Sequence, residues 1–97
     1  MYLDTHKIKS LQQYFKTKPV LKAYLFGSYA RGEARQESDI DILVELDYSV
    51  PIGLEFIEMQ WDLEKVLHKS VDLVATDGLS KYLAPYIHHD KKLIYER

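Results

Sequence analysis

Cysteine is absent from the 97 residues of this chain. That removes disulfides, a thiolate nucleophile and any cysteine-based zinc site, and it suits a reducing cytosol. Glycine and proline are scarce, at 4 and 3 residues, and no Pro/Gly-rich linker, repeat or low-complexity tract divides the sequence. Residues 1–97 therefore read as a single domain. The longest apolar runs are short, Ala23 to Phe26 and Ile42 to Val44, so nothing is expected to span a bilayer. The opening MYLDTHKIKS has no apolar signal core and no Arg/Ser-rich transit character. Positive charge is not in excess either: 13 Lys and Arg stand against 15 Asp and Glu, for a net charge of −2. This argues against direct binding to nucleic acid or to anionic membrane. What is present, 46% hydrophobic and 29% charged residues, is the balance of a globular protein with one modest core. The expectation is a small cytoplasmic domain.

Hydrophobic patterning gives the order of elements. Asp4 or Thr5 can cap a first helix that carries Ile8, Leu11 and Phe15 on one face and ends before Lys18-Pro19. Val20 to Phe26 reads as a buried strand closed by Gly27-Ser28, and Tyr29 to Ser38 as a short helical turn followed by a loop. Asp39 to Leu46 alternates acidic and apolar residues before turning apolar, as a strand with one wet end does. After Pro51 and Gly53 a helix is predicted to run to His68. Val71 to Ala75 is a third strand, Asp77-Gly78 a turn, and Ser80 to His89 a helical stretch whose start Pro85 delays or bends. Lys92 to Tyr95 completes the chain as a short strand. The predicted architecture is α/β, a small mixed sheet flanked by helices.

The tripeptide Asp39-Ile40-Asp41 carries most chemical information. On a strand, residues two apart share a face, so the two carboxylates lie side by side with Ile40 buried opposite. Like charges that close repel, and a cation that holds both relieves the repulsion. Hard oxygen ligands suit Mg²⁺, which keeps several waters and shares its remaining positions with phosphates. Asp72 opens the third strand, and if strands two and three pair it adds a third carboxylate to a two-metal site. An isolated D-x-D is equally a strand-end or capping aspartate. Gly27-Ser28, taken alone, reads first as a plain turn. Placed between a strand and a helical turn, though, Gly27 lets backbone N–H groups approach an anion, Ser28 can hydrogen-bond a phosphate, and Arg31 and Arg35 follow within reach of a polyphosphate. Together, the two features make a site for a metal-bound nucleoside triphosphate.

The stretch GSYARGEARQESDIDILVEL, Gly27 to Leu46, resembles the signature of the minimal nucleotidyltransferases of the DNA polymerase β-like superfamily: Gly-Ser, ten residues, then D-x-D. Val-Asp-Leu-Val around Asp72 and the closing Ile94-Tyr95-Glu96 also resemble that family. The resemblance implies the polymerase β-like palm, with ATP and two Mg²⁺ ions at one sheet edge. It further implies that Gly27 and Ser28 hold the β- and γ-phosphates and that Asp39 and Asp41 bridge both metals. Asp72 would hold the metal that activates the incoming hydroxyl, and Arg31 would neutralise the departing pyrophosphate.

Such families pair with a HEPN-domain RNase toxin, and the resemblance implies an antitoxin that transfers AMP from ATP onto a tyrosine of that toxin. The short chain leaves the acceptor surface to a partner. Two other readings stay open: silencing of the partner by contact alone, and half of a two-chain transferase acting on a small molecule such as an aminoglycoside. The helix from Ile52 to His68 offers a partner contact without reference to any family. At 100° per residue, Ile52, Phe56, Met59, Leu63, Val66 and Leu67 form one stripe, while Leu54, Ile57 and Trp61 face away. An exposed apolar group with a tryptophan marks an interface, with the HEPN partner or with a second copy of this chain. The histidines (His6, His68, His88 and His89) show no metal-ligand spacing and read as exposed helix-end residues.

Overall fold

The computed structural model describes residues 1–97. Asp4 caps helix α1 (Thr5–Phe15) by accepting the backbone N–H of Lys7 at 2.8 Å, which satisfies one of the orphan donors at a helix start. The chain turns at Pro19 into β1 (Val20–Phe26), then forms the short helix α2 (Ser28–Arg31) and the strand β2 (Ile40–Leu46). Helix α3 (Glu55–Leu67) leads to β3 (Val71–Ala75), a 3₁₀ turn over Thr76–Gly78, helix α4 (Ala84–Asp90) and the strand β4 (Lys92–Glu96).

Two boundaries differ from the sequence pattern, and the late start expected at Pro85 is borne out. Strand β2 starts at Ile40, whose N–H bonds the Ser70 carbonyl at 3.0 Å, so Asp39 flanks the strand instead of opening it. Helix α3 starts at Glu55 and not near Ile52, because Gly53 sits at φ +51°, outside the right-handed helical region. Helix α4 starts only at Ala84, which puts Pro85 at its first turn, where a missing N–H costs nothing.

The sheet order is β3-β2-β1-β4, with β2 and β3 parallel and the other pairs antiparallel. The sheet is mixed, as expected, and strands two and three do pair. Alternation sorts its side chains into two layers. Ala23, Leu25, Ile42, Val44 and Leu73 join Leu11 and Phe15 of α1 and Met59, Leu63 and Leu67 of α3 in the main core. The Tyr14 hydroxyl donates to Asp62 at 2.7 Å and ties α1 to α3. Burial and that carboxylate hold the phenol protonated well above its ordinary range. On the other face Phe26 and Leu43 pack against Ile87 of α4. That face is only partly covered, and it is the face on which residues 41 and 72 lie.

The outward side of α3 is as the pattern predicts: Leu54, Ile57 and Trp61 are 74%, 48% and 60% exposed. Val66 departs from it. It lies about 60° from the centre of the stripe set by Met59, Leu63 and Leu67, and it is exposed.

Candidate functional site

The parallel ladder sets Asp41 directly opposite Asp72, and the antiparallel ladder sets Asp41 opposite Phe26. Gly27 follows Phe26, so its backbone turns beside the Asp41 carboxylate. A Cβ built on Gly27 would run into Asp41 Oδ2. Gly27 also has φ +70° and ψ −153°, a conformation essentially reserved for glycine. Its carbonyl accepts from Ala30 and Arg31, which starts α2 and puts Ser28 at the first helical position. Sterics and backbone conformation therefore both require glycine at this turn.

Asp41 is half-buried, whereas Asp39 and Asp72 are exposed. Burial, then Asp72, then Asp39 push the Asp41 carboxyl up to about 6, with Arg31 opposing. Both neighbouring acids thus act on Asp41, although no three acidic or histidine side chains close into a ligand cage. A half-buried carboxylate crowded by two others is a charge that a divalent cation relieves, and a donor set of hard oxygens open to water fits Mg²⁺.

Arg31 is engaged elsewhere than at the carboxylates. Its Nη1 donates to Asp90 Oδ2 at 2.6 Å, and its Nε lies 3.4 Å from Glu33 Oε1. Nothing in the sequence marks Asp90 as its partner, because the two stand 59 residues apart. Arg35 is exposed, and its backbone alone is engaged: its N–H donates to Ser38 Oγ at 2.8 Å and its carbonyl accepts from the Ser38 N–H at 3.0 Å. Tyr2 packs where a side chain at Gly32 would stand, and the N-terminal amine donates to the Gly32 carbonyl at 2.6 Å. That strap beside α2 has no signal in the sequence. The one sizeable groove, about 380 Å³, is lined by Gln12, Lys16 and residues 93–96. It lies away from the carboxylates, which stand on an open part of the sheet.

The Asp41 shift makes stability depend on pH. A carboxyl raised above its ordinary 3.8 binds its proton more tightly in the native state, so this contribution to stability is present at low pH. It is lost as pH rises from about 4 to about 6. The full shift corresponds to about 3 kcal/mol, and half-exposure with solvent screening reduces this to about 1–2 kcal/mol. Asp47 and Asp90, both held below their ordinary range, tilt the profile the other way, so the comparison is variant against wild type. Asp41→Asn is expected to remove the decline and to raise stability at neutral pH. Denaturant unfolding at pH 4, 5, 6 and 7 measures it, and equal slopes in both proteins would assign the titration to another group.

Comparison with known proteins adds to this geometry. The family model for polymerase beta, nucleotidyltransferase, matches residues 9–97. Protein adenylyltransferase MntA of Thermococcus cleftensis is 42% identical over 82 residues, which are 84% of this chain and 78% of that one. A crystal structure of a toxin–antitoxin with AMP-PNP is 28% identical, with a TM-score of 0.76 over 98% of this chain and 75% of that one. The fold is shared with the MNT antitoxin complex of the tri-AMPylated Shewanella oneidensis HEPN toxin, at TM-score 0.74 and 22% identity over 98% and 74% of the two chains.

Proposed function

Because the chain belongs to the polymerase beta nucleotidyltransferase family, we propose that it is an antitoxin that transfers AMP from ATP to a tyrosine hydroxyl of a HEPN-domain RNase toxin. The observation that carries the proposal is the juxtaposition of Asp41, Asp72 and the Gly27 turn at one end of a partly covered sheet face. Residues 1–97 act as a single minimal nucleotidyltransferase domain. Gly27 and Ser28 hold the β- and γ-phosphates, and Arg31 neutralises the pyrophosphate end. Asp39 and Asp41 would hold two Mg²⁺ ions with Asp72 as a further ligand, and the ions when bound would supply charge neutralisation at the α-phosphate.

The acceptor brings its own oxygen to this face. The tyrosine oxygen bonds to the α-phosphorus, the bond from that phosphorus to the α,β-bridging oxygen breaks, and pyrophosphate leaves. The phenolic proton passes to Asp72 or to water. Catalysis of this kind is mostly positioning and electrostatics, which explains why the chain needs no nucleophile of its own. No helix is long and apolar enough to cross a membrane, and the lack of cysteine fits a reducing compartment, so we place this activity in the cytoplasm. Mass spectrometry of the toxin after incubation with ATP and Mg²⁺ tests the proposal. An AMP adduct on tyrosine is expected, and an unmodified toxin that is nevertheless silenced would favour neutralisation by contact alone.

Contact is also needed for transfer, and the exposed Leu54, Ile57 and Trp61 of α3 fit a protein interface. Trp61→Ala is expected to cost about 2 kcal/mol or more of association with little change in monomer melting. Titration calorimetry against the toxin and sedimentation of the free chain measure the two candidate interfaces. Wild-type behaviour in both would remove Trp61 from the contact.

A further inference from the structure

We propose that Asp90 is a positioning residue of the nucleotide site, holding the Arg31 guanidinium ready for the triphosphate. The proposal rests on the reading of Gly27, Ser28 and Arg31 as phosphate-binding groups. Helix α2 has four residues between two glycines at positive φ. Tyr29 and Ala30 anchor it in the core, but they leave the direction of the long Arg31 side chain open. That direction is set from outside the helix, by Asp90 Oδ2 on Nη1 at 2.6 Å and Glu33 Oε1 near Nε at 3.4 Å. The Asp90 side chain is 17% exposed, against 42% for Arg31, so the better-covered partner is the acid.

Asp90 has a firm base. It ends α4, and Ile87 one turn earlier packs on Phe26 and Leu43. Phe26 is the cross-strand neighbour of Asp41, and Leu43 follows Asp41 on the same sheet face. The rigid part of the site and the grip on Arg31 therefore share one support. Held through Nη1 and Nε, the guanidinium keeps Nη2, with both its N–H groups, unpaired to protein. A guanidinium fixed in advance loses less freedom when it binds a phosphate, and its planar fork makes that orientation matter.

Titration calorimetry with ATP and Mg²⁺ on the full chain tests the role. Arg31→Ala is expected to weaken ATP binding by about tenfold or more and Asp90→Asn by about fivefold. Asp90→Glu, which keeps the acceptor, is expected to recover most of the loss. The charge swap Arg31→Asp with Asp90→Arg separates positioning from mere bracing. It restores an ion pair but turns a carboxylate toward the phosphates, so it is expected to bind as poorly as Arg31→Ala. Melting of all four variants is expected to stay within about 3 °C of wild type, as for an exposed pair. Wild-type affinity in Asp90→Asn, or recovered affinity in the swap, would overturn the role of Asp90 while leaving the phosphate site standing. A wild-type chain that does not bind ATP would overturn the phosphate-site reading and this inference with it.

Discussion

Asp41→Ala is expected to lower AMP transfer by about three orders of magnitude or more, since it removes a proposed ligand of the metal ions that neutralise transition-state charge. Its association with the toxin is expected to stay near the wild-type value. Asp41 lies at the centre of the acidic cluster, opposite Asp72 in the ladder and beside the Gly27 turn, so neither neighbouring acid can take its place. It lies on the opposite sheet face from α1 and α3, so its loss does not disturb the exposed Leu54, Ile57 and Trp61. The same substitution also removes a carboxylate crowded by burial and two like charges, and the apo protein is expected to gain stability. Loss of activity with a gain in melting temperature separates a damaged site from a damaged fold. Rate assays on the purified pair, with parallel melting curves, measure both. A variant that modifies the toxin at the wild-type rate would end the two-metal assignment.

Gly27→Ala is expected to be nearly as severe, by a different route. An alanine there must either hold φ near +70°, which costs about 1–3 kcal/mol, or change the turn. On the present backbone its Cβ meets the Asp41 carboxylate, and a changed turn moves the backbone donors instead. The phosphate turn and the carboxylate cannot both keep their places. A fall in melting temperature of roughly 10 °C and a loss of ATP binding of about 100-fold or more are expected together. Ser28→Ala is the contrast. Ser28 sits at an ordinary helical position and the backbone donors of the turn remain, so only a several-fold loss is expected. Equal effects from the two substitutions would show that the serine hydroxyl, and not the glycine turn, dominates phosphate binding.

Much of this molecule is legible in the sequence because short-range patterns specify it. Asp4 caps the first helix, Pro85 delays the last, and the alternation from Asp39 to Leu46 puts Ile40, Ile42 and Val44 in the core. Residues 41 and 72 are left by that alternation on the other face. The Gly-Ser and D-x-D pair points to the site because the ten-residue spacing brings the turn after β1 back beside the strand that pairs with it. What is not legible depends on contacts between distant segments. Sequence spacing treats Asp39 and Asp41 as equivalent, yet only Asp41 is half-buried, because the ladder with β3 begins at Ile40. The pairing of Arg31 with Asp90 and the packing of Tyr2 over Gly32 arise when α4 and the N-terminal strap fold onto α2. No local pattern encodes either contact.

The most direct test is transfer of label from ATP. The chain and its proposed HEPN partner are incubated with Mg²⁺ and ATP labelled either in the α- or in the γ-phosphate. The account predicts that α-label becomes covalently attached to tyrosine of the toxin, that γ-label leaves as pyrophosphate, and that Asp41→Ala abolishes both. Silencing of the toxin with no α-label on it, or α-label on a small molecule instead, would contradict the account.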